Sequence, residues 1–385
     1  MRIITDTADL ASACAALANE EFVAIDTEFM RETTYWPKLC LVQVAGGDVE
    51  AVIDPLAEGL SLDPLVELLN NPDVLKVFHA ARQDLEIFYH LSGDVPGPLF
   101  DTQVAAAAVG LGDSIAYDAL VRALVKGDVD KSSRFTDWAR RPLSTKQLTY
   151  ALSDVTHLRD LFPKLRQRLQ ERGREDWVRE EMRALGAAET YSLDPENAWR
   201  RLKMRKTNAP YLAALQAAAR WREMEAQTRD TPRQRVLKDD ALYEIALQRP
   251  SSAEELARLR AVPNGFERSR AGKGLLDALE PALADPEAHA PKAPKSAPTP
   301  PGLGPTIDLL KVLLRVQAEA HDVAPRLIAT VADLEKVAAS DDADVPALRG
   351  WRREVFGEAA LELKTGRSVL RLKRGRVVIE DAGTA

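Results

Sequence analysis

Residues 22–29 read FVAIDTEF, and the fold turns on what that stretch is. Phe22 to Ile25 is an apolar run of strand type that delivers Asp26 and Glu28 two residues apart. Side chains alternate along a strand, so both carboxylates leave one face with only Thr27 between them. Like charges about 4 Å apart repel by about 4 kcal/mol at an effective dielectric of 20. Such a pair is tolerated where a strand runs out into water, or where a cation sits between the two groups. A lone D-x-E is compatible with either, so the rest of the chain has to decide.

Outward from this strand, the first 125 residues alternate strand-like and helix-like patterns. Strands are expected at Phe22–Asp26, Leu39–Ala45, Ala51–Asp54, Leu75–His79 and Leu99–Asp101. Helices are expected at Thr7–Ala18, Leu62–Leu69, Ala81–Leu91 and Thr102–Val109. The first three strands follow one another at short gaps, as in a meander; the later ones are separated by helices, as in crossovers. The expected class is α/β, a mixed β-sheet with helices on its faces. No Gly-x-Gly-x-x-Gly follows the first strand, which excludes a dinucleotide-binding unit.

At 385 residues the chain is too long for a single core, and two or three domains are expected. Its 45% hydrophobic and 29% charged residues are those of a water-soluble globular protein. A formal charge of −7 gives no overall attraction to nucleic acid, so any such binding must come from local basic patches. Cys14 and Cys40 are the only cysteines, which excludes a disulfide scaffold and any Cys/His zinc spacing and fits a reducing compartment. The first twenty residues carry acids among apolar residues, so neither a signal peptide nor a membrane span is expected. A cytoplasmic location without membrane contact is the expectation.

From about residue 115 the chain turns helical. PENAWRRLKMRK (195–206) holds five basic side chains and no acid over residues 199–206, and a helical module follows from Asn208 to about Ala284. Residues 286–305 contain seven prolines and read as a linker without secondary structure. A second helical set spans 306–365. The tail then changes period: SVLRLK, a turn at Arg374-Gly375 and RVVIE read as a β-hairpin with a basic tip.

Two further elements carry acids. In LKVFHAARQDLEIFYHL (75–91) a strand ends at Phe78, His79 and Ala80 turn the chain, and Asp84 rides the first turns of the next helix. Alone, Asp84 would merely complement a helix N-terminus. In STKQLTYALSDVTHLRDLF (144–162) Ser144 opens a helix on which Tyr150 and Asp154, four apart, share a face. Alone, that pair is a surface acid beside a half-buried aromatic.

Taken in order, D-x-E on a first strand, an Asp at a strand–helix junction and Tyr-x3-Asp on a later helix resemble the DEDD exonucleases in their tyrosine-bearing subclass. DTEFMRETTYWPKLCLVQVA (26–45), VFHAARQDLEIF (77–88), FDTQVAAA (100–107) and KSSRFTDWARRPLSTKQLTYALSDV (131–155) are similar to the exonuclease domain of the ribonuclease D family. AARWREMEAQTRDTPRQRVLKDDALYEIALQRPSSAEELARL (218–259) and GKGLLDAL (272–279) resemble the HRDC (helicase and ribonuclease D C-terminal) domain. The resemblance implies a ribonuclease H-like exonuclease domain over 1–200 and an HRDC domain over 206–285. A Pro-rich linker at 286–305 would lead to a second, divergent HRDC-like helical module with its hairpin at 306–385. One or two all-helical HRDC-like domains would thus follow the α/β domain.

Four converging carboxylates are stable as anions only with cations among them, and all-oxygen ligands select Mg²⁺ or Mn²⁺ over zinc. Two such ions per site, roughly 3.5–4 Å apart, can hold both the attacking and the leaving oxygen of a phosphodiester. By the family pattern Asp26, Glu28 and Asp154 would hold the ion that activates the attacking water. Asp26 would bridge to the second ion, and Asp84 would act largely through water around it. Free tyrosine has a pKa near 10 and is ionised in about one molecule in a thousand at pH 7, which casts Tyr150 as an orienter of that water and not as its base. Thr27 and Phe29 would touch the terminal nucleotide.

Lys131, Arg134 and Arg140 form a short basic loop that either reaches phosphates or is simply solvated. The HRDC-like stretch 206–283 carries 13 basic against 11 acidic residues, a net of +2. Arg229, Arg233, Arg235 and Lys238 cluster there, as mixed surface charge or as sequence-independent contacts to an RNA backbone. His79 reads as structural and Asp101 as a helix N-cap. The implied activity is 3′-to-5′ trimming of RNA 3′ ends, tRNA precursors above all, releasing nucleoside 5′-monophosphates without an obligate protein partner. Its rivals are a 3′-5′ DNA exonuclease on the same site, since nothing in the sequence reads the 2′-hydroxyl, and a catalytically idle RNA-binding platform. The idle platform would lack a metal-site acid, and none is missing.

Overall fold

Six strands form one sheet: β1 (Arg2–Ile4), β2 (Phe22–Met30), β3 (Lys38–Gly46), β4 (Val49–Ile53), β5 (Leu75–Phe78) and β6 (Leu99–Asp101). Their order is β1-β4-β3-β2-β5-β6. The structure is a computed structural model and describes residues 2–292 and 302–383, the side chain of Lys131 excepted. Strands β2, β3 and β4 pair antiparallel as a meander, while β1 on β4 and β5 and β6 beyond β2 pair parallel. The sheet is mixed, as the sequence pattern predicts.

Two strand expectations need correction. β1 goes unseen in the sequence because three residues, two of them exposed, show no usable alternation. More consequentially, β2 does not end at Asp26. It stays paired with β3 through Met30, with a bulge between Glu28 and Phe29. Asp26 and Glu28 therefore sit within a paired strand, which removes the reading of a strand end splaying into water.

Helices α1 (Thr7–Leu17), α2 (Asp63–Asn70) and α3 (Arg82–Ser92) cover one face of the sheet around Leu17, Ile25, Val42, Leu65 and Phe88. Helices α4 (Thr102–Ala108), α5 (Tyr117–Leu124), α6 (Thr145–Glu171) and α7 (Glu175–Leu185) cover the other around Val77, Phe100, Val155 and Phe162. On β2, Val23 and Ile25 face the first core, while Ala24 faces the second. That alternation turns Asp26 and Glu28 toward α6. Ser144 and Gln147 form a reciprocal capping box that fixes where α6 starts, and so which way Tyr150 and Asp154 point.

Helix α8 (Ala209–Thr228) packs with Asp239–Gln248 and Arg270–Ala284 around Leu215, Ala218, Leu242 and Leu275. Helices Gly304–Ala320, Val331–Ala339 and Glu358–Lys364 build a separate core around Leu313, Val337 and Phe356. The tail forms the expected hairpin, β7 (Ser368–Lys373) with β8 (Arg376–Asp381), and positive φ at Arg374 and Gly375 makes its two-residue turn. The proline-rich stretch is not wholly without secondary structure: Pro286–His289 is a helical turn, and the next helix starts at Gly304. Residues 293–301 of that stretch lie outside the described residues. No described helix is long and apolar enough to cross a membrane.

Candidate active site

The sheet, α3 and α6 converge on a cavity of about 440 Å³ lined by Asp26, Glu28, Asp84, Tyr150 and Asp154. Asp26, Glu28 and Asp154 each present one carboxylate oxygen within 4.8 Å of the others. Asp84 stands outside that trio. It is buried, and its carboxylate accepts a hydrogen bond from the Thr27 hydroxyl. The turn that delivers Asp84 is held by Asp101, whose carboxylate accepts from the N–H of Ala80 at 3.0 Å and of Ala81 at 2.8 Å. The same carboxylate caps α4 through the N–H of Gln103 at 2.8 Å. The expected N-cap therefore also fixes a turn in which Ala80 adopts φ +56, a conformation an alanine keeps only when its surroundings enforce it.

This cavity is short of positive charge. Burial pushes the Asp26 carboxyl up to about 6. Burial, reinforced by Asp26, pushes Asp154 up to about 8, and burial with the charges of Asp26, Asp154 and Asp84 pushes Glu28 up to about 10. Burial and Asp26 also hold Asp84 well above the carboxylate range. Burial and the neighbouring acids raise the Tyr150 phenol, so it keeps its proton. Asp154 Oδ1 is buried with no hydrogen-bond partner. An orphaned carboxylate oxygen beside two more acids is costly in a protein interior unless a cation completes it. The donor set, all oxygen, fits a hard divalent ion.

Several expected contacts line the same cavity. Thr27, Phe29 and Arg134 are on its wall, and the charge of Arg134 eases the raised pKa of Glu28 and Asp154; His79, expected to be structural, lines it too. His79 is fixed by Thr102, 2.9 Å from its Nδ1, and burial lowers its pKa, in line with a structural role. Arg140 is exposed and does not line the cavity.

The arginine cluster of the HRDC-like module divides. Arg233 is turned inward: its Nε and Nη2 donate to Glu223 at 2.6 and 2.7 Å, and Nη2 to the Tyr35 hydroxyl at 2.8 Å. That engagement takes Arg233 out of any exposed phosphate-binding set. Arg235 is exposed and reaches the Glu32 carbonyl at 3.5 Å; Lys238 is exposed at the start of a helix. Sequence reasoning passed over Tyr117, which lines the cavity and donates to the backbone carbonyl of Asp154. It also passed over Gln103 and Phe135 on the same wall. None of the three stands in an acidic motif, and only the tertiary fold brings them to the site.

A family model described as 3′-5′ exonuclease matches residues 1–170, and the HRDC domain model matches residues 211–279. Ribonuclease D of Nitrobacter hamburgensis is 55% identical over 378 residues, 98% of this chain and 99% of that protein. Ribonuclease D of Granulibacter bethesdensis is 51% identical over 365 residues, 94% and 92% of the two chains. Among solved structures, Escherichia coli RNase D, described as an exoribonuclease involved in structured RNA processing, matches with a TM-score of 0.81 at 32% identity. The match covers 94% of this chain and 98% of that one.

Proposed function

The chain belongs to the ribonuclease D family and is a 3′-to-5′ exoribonuclease; from that premise we propose that it trims the 3′ ends of RNA, tRNA precursors in particular, by divalent-metal-dependent hydrolysis. The products would be nucleoside 5′-monophosphates. The observation that carries the reading is the close trio of Asp26, Glu28 and Asp154 with its unpartnered Asp154 Oδ1. These three would hold one Mg²⁺ or Mn²⁺ ion, and Asp26 with Asp84 would serve a second. When bound, the ions supply the positive charge that activates the attacking water and takes up charge on the leaving oxygen.

The protein's own groups do the rest. Tyr150 packs beside the buried Trp138, ring centroids 6.0 Å apart, and presents a hydroxyl that keeps its proton. It therefore orients the water by hydrogen bonding and does not take a proton from it. Thr27 holds Asp84 in place while sharing the wall with Phe29, where the terminal nucleotide would lie. Arg134, the one lysine or arginine among the residues lining the cavity, brings a cation to the phosphate. Matched RNA and DNA oligomers digested with Mg²⁺ test the reading. Stepwise loss from the 3′ end of RNA with release of 5′-monophosphates is expected; faster loss of DNA, or 3′-monophosphate products, would contradict it.

A further inference from the structure

At the mouth of the acidic cavity one large apolar side chain is left in solvent. Phe135 lines the cavity yet is 91% exposed, more so than any other large hydrophobic residue among the described residues. A phenyl ring left in water forgoes the roughly 1.5–3 kcal/mol that burial would give. The turn that carries it is firmly held. Ser133 is buried, and its carbonyl accepts from the Thr136 N–H at 3.1 Å and the Thr136 hydroxyl at 2.8 Å. The same hydroxyl oxygen accepts from Gln147 Nε2 at 3.1 Å, in the first turn of α6. Because α6 also bears Tyr150 and Asp154, the backbone that carries the ring is placed relative to the acids.

Arg134 stands beside it, with Cζ 5.3 Å from the ring centroid. Arg134 makes no ion pair among the described residues, and it is the only lysine or arginine among those lining the cavity. The cavity, about 440 Å³, has room for one nucleotide at the acids. The preceding nucleotide must then lie at the mouth, where an exposed aromatic face and the Arg134 guanidinium stand side by side.

We infer that Phe135 is a stacking platform for the base of the penultimate nucleotide, with Arg134 on the phosphate that joins it to the terminal one. This rests on the reading of the cavity as a 3′-end exonuclease site. Every base has a π-face, so such a platform grips without selecting sequence, as an enzyme that shortens RNA stepwise requires. The turn that presents the ring is already held before RNA arrives, so its backbone has little freedom left to lose on binding.

Two RNA oligomers, identical except that one lacks the penultimate base, give the test when digested by the wild-type enzyme, Phe135→Ala and Phe135→Trp. The wild type is expected to favour the intact oligomer by about 5- to 150-fold in kcat/KM, the worth of one base–aromatic stack, mainly through KM. Phe135→Ala should erase that preference, and Phe135→Trp should keep it. A preference of the same size in Phe135→Ala, or no preference in the wild type, would overturn the platform. A wild-type enzyme that digests neither oligomer would instead overturn the exonuclease reading beneath it.

Discussion

Two buried carboxylate sites in this protein are built on opposite principles. Glu28 lies among Asp26, Asp84 and Asp154, and after burial their charges are what push its pKa up to about 10. Glu223, on α8, is only 1% exposed, and burial alone would raise it too; hydrogen bonds from Arg233 and Tyr35 and the charges of Arg233 and Arg201 outweigh that and lower it. Arg201 Nη2 donates to it at 2.6 Å. The Glu223 cluster joins the HRDC-like module to the loop between β2 and β3, where Asp230 also accepts from the N–H of Tyr35 at 3.0 Å and of Trp36 at 2.9 Å. Where the chain needs a joint it surrounds a carboxylate with arginine. Around the Asp26–Glu28–Asp154 trio the charge of the one arginine on the wall, Arg134, does not offset burial and the neighbouring acids, and the deficit stays open.

That contrast can be broken in a definite order. Asp26→Asn should lower kcat on RNA at least about a thousand-fold, because it removes a carboxylate from the trio proposed to hold the ion. In metal-free buffer at pH 8 the same substitution should raise the melting temperature, since it relieves repulsion; a fall would mean the acids are compensated by something else. Glu223→Ala should do the reverse, lowering stability by about 3 kcal/mol because Arg201 and Arg233 lose their buried counter-charge. Chemical denaturation of the two variants side by side reads both signs. Tyr150→Phe should slow turnover about 10- to 100-fold while RNA affinity, measured by fluorescence anisotropy without metal, stays within two-fold of wild type (about 0.4 kcal/mol). A large loss of affinity would make Tyr150 a substrate contact.

The smallest effects are in pH dependence, and the two sites have opposite slopes. The metal-free acids bind protons in the folded state that they release on unfolding. Stability should therefore fall as pH rises from 5 through the values of Asp26, about 6, and Asp154, about 8. Mg²⁺ should flatten that fall. Glu223 is depressed when folded, so its contribution is present above the ordinary glutamate range and is lost as pH drops through its folded value. Melting temperatures between pH 3.5 and 8.5, with and without Mg²⁺, separate the two.

Much of this was legible in the chain because it rests on local spacing. Two-residue alternation places Asp26 and Glu28 on one face, and four-residue spacing with a Ser144 cap does the same for Tyr150 and Asp154. The sheet's mixed pairing follows from short gaps among its first strands and helices between the later ones. What stayed hidden depends on contacts across the fold. Arg233 looks like surface charge until Glu223, ten residues away on α8, and Tyr35, in another domain, turn it inward. Phe135 carries no signal of its own in the sequence; only the turn at Ser133–Thr136 leaves it in solvent at the cavity mouth. β1 is too short to carry a pattern at all.

The central claim is that Asp26, Glu28 and Asp154 form a cation site in which Glu28 and Asp154 keep protons at pH 7 until the ion arrives. Calorimetric titration of Mn²⁺ into the wild type and Asp26→Asn at pH 7, in two buffers of different ionisation enthalpy, tests it most directly. Binding in the wild type should release protons, with affinity rising by up to about ten-fold per pH unit for each proton displaced, and Asp26→Asn should lose that binding. Binding without proton release, or unchanged in Asp26→Asn, would contradict it.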